Sequence, residues 1–114
     1  MNQDILNLWL AKLRSGRIEQ TTGHLHLKDG SMCCLGILCS IAEAAGVVTK
    51  SIVPAQEAYR YDALSEFLPD SVMAWAGLED TDPRPENDAA FSEMNDREES
   101  FLMIADAIER EYRT

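Results

Sequence analysis

Cys33-Cys34-Leu35-Gly36-Ile37-Leu38-Cys39-Ser40-Ile41-Ala42-Glu43-Ala44-Ala45 carries no charge until Glu43 and is followed by Gly46. Apolar all round and closed by a glycine, the stretch reads as a largely buried helix with a C-terminal cap, the central element of the fold. Gly36 inside it would weaken a helix by about 1 kcal/mol relative to alanine. Two readings follow: the helix begins after Gly36, or the missing side chain lets another segment approach closely.

Working towards the N-terminus, the period changes. From Arg17 to Met32, Leu25 and Leu27 alternate with His24 and His26 between turn-forming Thr-Thr-Gly and Asp29-Gly30, which predicts a small antiparallel hairpin or meander. Before it, Ile5, Trp9 and Leu13, flanked by Leu6 and Leu10, recur at helical spacing and predict a helix from Asn2 or Gln3 to Ser15, with Gly16 as its stop. In the other direction, Val47, Val48, Ile52 and Val53 favour strand while Pro54 excludes a central ladder position, so an edge strand and a loop are expected over 47–61. Leu68-Pro69-Asp70-Ser71 with Val72, Met73, Trp75 and Gly77 predicts a short capped helix. Asp96 and Glu99 approximate a capping box for a final helix striped by Phe101, Ile104, Ala105, Ile108 and Tyr112. The sum is one α+β domain over residues 1–114, a small antiparallel β-sheet packed with about four helices. Neither an internal repeat nor an interdomain linker interrupts it. A length of 114 residues with 46% hydrophobic side chains suits a single core.

Charge is distributed unevenly. Residues 1–60 carry five acids against six bases, whereas residues 61–114 carry fifteen acids against Arg84, Arg97, Arg110 and Arg113. The formal charge of −10 argues against direct binding to nucleic acid, which favours basic surfaces. No apolar run approaches the ~18 residues of a membrane span, and Asp4 stands where a signal peptide would carry a base, so a cytoplasmic protein without a membrane partner is expected. Three cysteines, two of them adjacent, fit reduced thiols better than a disulfide framework.

The pattern Leu13-Arg14-Ser15-Gly16, Gln20, Cys33-Cys34-Leu35-Gly36-x-Leu38-Cys39, Leu68-Pro69-x-x-Val72-x-x-Trp75-x-Gly77-Leu78, Asn95-Asp96 and Phe101-x-x-Ile104-Ala105-x-x-Ile108-Glu109 resembles a family of small uncharacterised bacteriophage and prophage proteins. The resemblance spans nearly the whole chain. It implies an origin, with the host bacterial cell as the place of action, and carries no catalytic residues with it.

Three constellations bear on function. Glu79, Asp80, Asp82, Glu86 and Asp88 concentrate negative charge around Asp82-Pro83-Arg84-Pro85, and such a face can imitate nucleic acid and occupy a basic groove on another protein. A calcium loop needs a turn glycine among its oxygen ligands, and no glycine falls between Leu78 and Thr114. Arg14, Gln20, Asn95 and Asp96 stand at predicted element ends, where they could converge on a small ligand such as a nucleotide; their plainer roles are helix caps and an exposed strand residue. Cys33, Cys34 and Cys39, with His24 and His26 nearby, invite a metal or nucleophile reading. Adjacent cysteines do not fit the paired spacing of zinc ligands, and free cysteine is commonly buried. A thiol on the first turn of a helix would have a depressed pKa, which keeps a hydrolase in view. Trp9 and Trp75 lie on apolar faces and are assigned to packing.

The expected function is that of a non-catalytic phage accessory protein. It would inhibit a host defence or nucleic-acid-handling protein by binding a basic surface, with no cofactor and no metal. The alternatives are sequestration of a nucleotide signal through Arg14, Gln20, Asn95 and Asp96, and a thiol or carboxylate hydrolase. A homodimer is expected if Phe101 or Tyr112 is left exposed.

Overall fold

Asn2 begins the ordered structure: its side chain accepts a hydrogen bond from the Ile5 amide and so caps α1, Gln3–Leu13. This is a computed structural model describing residues 1–114. Ile5, Leu6, Trp9, Leu10 and Leu13 form the buried stripe of α1. That stripe packs on α2, Cys34–Ala44, and on the last helix, α5, Phe101–Tyr112. Between α2 and α5 lie β2 (Lys50–Val53), β3 (Ala58–Tyr61), α3 (Asp70–Ala76) and α4 (Phe91–Asp96); β1, His26–Leu27, precedes α2. The strands form one antiparallel sheet in the order β1-β3-β2. The fold is therefore α+β, as the sequence indicates.

The central helix lies where the apolar run places it, and its packing explains Gly36. A Cβ built on Gly36 would sit 1.7 Å from the Leu25 carbonyl oxygen, far inside contact distance, so the glycine admits the backbone of the preceding segment against the helix. Leu25 is held there from both sides. Its carbonyl accepts from the Cys33 amide at 3.1 Å, and its own amide donates to the Ser65 carbonyl at 2.8 Å.

Three expectations are corrected. Residues 17–32 keep only the tip of the expected hairpin: His26 bridges Met32 antiparallel, with the Leu27 amide donating to the Ser31 carbonyl at 2.9 Å, whereas Gln20 bridges Met32 in parallel. Their two-residue strand pairs with β3, His26 opposite Tyr59. The 47–61 stretch supplies two strands instead of one, with Pro54 opening a 3-10 turn, Pro54–Gln56, outside the ladder. Finally, the acidic run contains α4, and Asp96 ends it instead of capping α5. Ser100 is the cap, its hydroxyl accepting from the Met103 amide at 3.2 Å. Phe101 is buried, and Tyr112 is half-buried with its ring 6.1 Å from that of Phe91, so the exposure set as the condition for a homodimer is not met by Phe101 and is only partial for Tyr112.

No helix is long and apolar enough to cross a membrane.

Candidate functional site

The segment that Gly36 draws onto α2 also builds a wall. Gly23 and His24, immediately before Leu25, face Glu66 and Phe67, immediately after Ser65, across a cleft of about 290 Å³. The Leu25–Ser65 hydrogen bond joins these two walls. Asp82 and the α4 residues Ser92, Glu93 and Asp96 line the cleft as well, and Cys33, at the start of α2, contributes a thiol that is 5% exposed.

Four carboxylates therefore share this cleft, and no lysine or arginine lines it. Asp82 and Asp96 are partly engaged: the Ser92 hydroxyl donates to Asp82 at 2.6 Å, Arg84 pairs with the same carboxylate at 3.6 Å from outside the cleft, and the Gly23 amide donates to Asp96 at 3.3 Å. Glu66 and Glu93 make no ion pair with any base. Phe67, 43% exposed, adds an aromatic face beside them. The potential in such a concave anionic site favours a cation, and an aromatic ring adds attraction of about 0.5–1 kcal/mol at an exposed position.

The residues singled out for a protein interface divide between two places. Asp82 belongs to this cleft, while Glu79 and Asp80 line a second, of about 490 Å³, with Arg84, Glu111 and Tyr112. Pro83, buried and next to Asp82 in the chain, lines the second cleft. Glu86 and Asp88 are exposed on the turn that follows.

Of the residues singled out for a small ligand, Gln20 and Asn95 do meet, but their polar groups are consumed by one another and by backbone. Asn95 is wholly buried; its Oδ1 accepts from Gln20 Nε2 at 3.0 Å and from the Cys34 amide at 3.2 Å, and its Nδ2 donates to the Thr21 carbonyl at 2.7 Å. Gln20 Nε2 also donates to the Glu99 carbonyl at 2.8 Å. Arg14 lies apart, paired with Asp106 at 2.8 Å and Glu109 at 2.9 Å on α5. Asp96 holds Gly23. The four are a set of structural ties and do not converge on one ligand.

Position does not activate the thiols. Cys33 caps α2, its Sγ accepting from the Gly36 amide at 3.4 Å, and that contact lowers its pKa. Burial outweighs it and pushes Cys33 up to about 11; burial likewise raises Cys34 and Cys39. A depressed pKa at the helix start is thus corrected: desolvation wins over the helix terminus. All three thiols are free and buried. In the native protein at pH 8 they should react with a thiol-specific disulfide reagent only as fast as the chain unfolds, and all three should react at once in denaturant; a rapid stoichiometric native phase would overturn this. His, Cys, Asp and Glu nowhere assemble in the geometry of a metal site.

Sequence reading missed the part played by Glu66 and Phe67. The available signal was an acid and an aromatic side by side just before Leu68-Pro69, outside any periodic element. A family model described as Domain of unknown function (DUF8296) matches residues 1–112. No curated protein and no solved structure matches the chain.

Proposed function

The chain belongs to the family so described, and from that premise, which brings no activity with it, we propose that the protein works by binding: it receives a cationic group of a partner protein in the acidic cleft. The observation that carries this reading is the set of four carboxylates, Glu66, Asp82, Glu93 and Asp96, around one cleft that no lysine or arginine lines. Glu79, Asp80, Glu86 and Asp88 extend the negative field beyond it and steer a basic surface towards the site. The resemblance to phage proteins supports a narrower form, in which the partner is a host defence or nucleic-acid-handling protein whose basic groove is blocked.

A fluorescent tetra-arginine peptide tests the binding step. Its affinity should fall steeply between about 50 and 200 mM salt, because screening lengths shorten over that range. The Glu66→Gln/Glu93→Gln double variant, which removes two carboxylates without an ion-pair partner, should bind about tenfold more weakly at low salt, corresponding to ~1.4 kcal/mol. Unchanged affinity in that variant would remove the cleft from the interface. Neutralising Asp80 and Glu86 instead should lower the association rate more than it raises the dissociation rate.

A further inference from the structure

Tyr61 is wholly buried, and its hydroxyl has one hydrogen-bond partner, Nδ1 of the buried His26, at 2.7 Å. A buried O–H without an acceptor is costly, so Tyr61 donates to Nδ1 and the imidazole carries its proton on Nε2. Nδ1 is then the only site on His26 that can take up a second proton. Protonation there removes the acceptor of the Tyr61 hydroxyl, and with no other partner near, the O–H is left unsatisfied inside the protein. The position matters because His26 follows directly on the segment that forms the cleft. Gly23 and His24 line the cleft, Leu25 is clamped to Ser65 and α2, and His26 fastens the same segment to β3, six residues before Phe67 on the opposite wall.

We propose that the His26–Tyr61 pair is an acid-sensitive latch that holds the two walls of the cleft together and loosens them when a proton from solvent binds Nδ1. The surroundings of His26 favour its neutral form. From β3, the Tyr59 ring lies 4.7 Å away and Tyr61 stacks at 6.1 Å; from β2, Lys50 places its ammonium 4.7 Å from the Tyr59 ring centre. Burial, then Lys50, lowers the pKa of His26, while Glu43 of α2 and Asp29 of the following turn oppose the shift. The sign follows: a folded pKa below the unfolded value of about 6.5 gives stability that is present above that value and is lost as pH falls from there through the folded value. The latch holds whatever occupies the cleft; only its consequence for binding, release of a cationic partner in mild acid, rests on the function proposed above.

Amide hydrogen exchange on the whole protein between pH 7.5 and 5 reads the latch directly. After correction for intrinsic rates, protection of the Leu25 amide should fall about tenfold with the midpoint at which the His26 ring titrates by NMR. In His26→Gln, Leu25 protection should not change over this range. In His24→Gln, which removes the other imidazole, the wild-type response should persist. Should His26→Gln fail to fold, Tyr61→Phe carries the test: without the hydroxyl that holds its neutral form, His26 should titrate at higher pH than in the wild type. Constant Leu25 protection while His26 titrates, or an unshifted His26 midpoint in Tyr61→Phe, would overturn the proposal. Tetra-arginine affinity measured alongside separates the two claims: no binding at pH 7.5 refutes the proposed function and leaves the latch intact.

Discussion

Replacing Gly36 by alanine should destabilise the protein by about 3 kcal/mol or more, at the upper end of what overpacking costs, and a marginal fold would be lost outright. Helix propensity alone gives the opposite sign, since alanine is favoured over glycine by about 1 kcal/mol in a helix interior. What decides is the Leu25 carbonyl oxygen, which a new methyl group would meet at 1.7 Å. That oxygen belongs to backbone and cannot rotate away. It is also pinned by the Cys33 amide, and Leu25 by Ser65, so relief requires prising the whole 23–27 segment from α2. Urea denaturation of Gly36→Ala is the measurement; a midpoint equal to or above that of the wild type would mean that Leu25 does not lie on the helix.

A loss of about 3 kcal/mol is also expected for Asn95→Ala. Truncation removes the acceptor of the Gln20 amide and of the Cys34 backbone amide, and the donor to the Thr21 carbonyl, in a place where Asn95 is 0% exposed. Each buried polar group left unpaired costs about 1–3 kcal/mol, and Gln20 retains the Glu99 carbonyl, which keeps the total near the stated value. Asn95→Asp preserves shape and Oδ1 but turns the donor to Thr21 into a second acceptor, so it should be destabilised too, and most at neutral pH where a buried carboxylate is charged. Thermal or chemical unfolding near wild-type values in both variants would show that Asn95 does not tie α4 to the start of α2.

These two positions mark the boundary of what the sequence discloses. The helix containing Gly36 was legible because its apolar run is long and Gly46 closes it, but the purpose of Gly36 depends on Leu25, whose approach no local pattern encodes. Asn95 reads as a polar residue at a helix end, and the helix it closes is α4 and not the start of α5. Phe91 and Met94 mark the buried side of α4, but six residues are too few to display a period inside an acidic run, so the sequence points to Asp96 as the cap of α5 where Ser100 fills that place. In residues 17–32 the alternation at Leu25 and Leu27 marks the local bridge from His26 to Met32, but the strand partner of His26, Tyr59, has no local signature. The cleft inherits the same difficulty. Its acids from Asp82 onward stand out by density, but Glu66 and Phe67 become site residues only because Ser65 meets Leu25, forty positions earlier.

The order β1-β3-β2 places in the middle of the sheet the strand that comes last along the chain. On a ribosome, neither His26–Leu27 nor Lys50–Val53 has a ladder partner until residues 58–61 emerge, and the apolar stripe of α1 stays partly uncovered until α5 is made. With elongation at roughly 5–20 residues per second, that leaves a nascent chain several seconds with Ile5, Leu6, Trp9 and Leu10 open to chaperones before it can complete its native contacts. Folding of residues 1–114 is accordingly completed only when α1 and α5 meet.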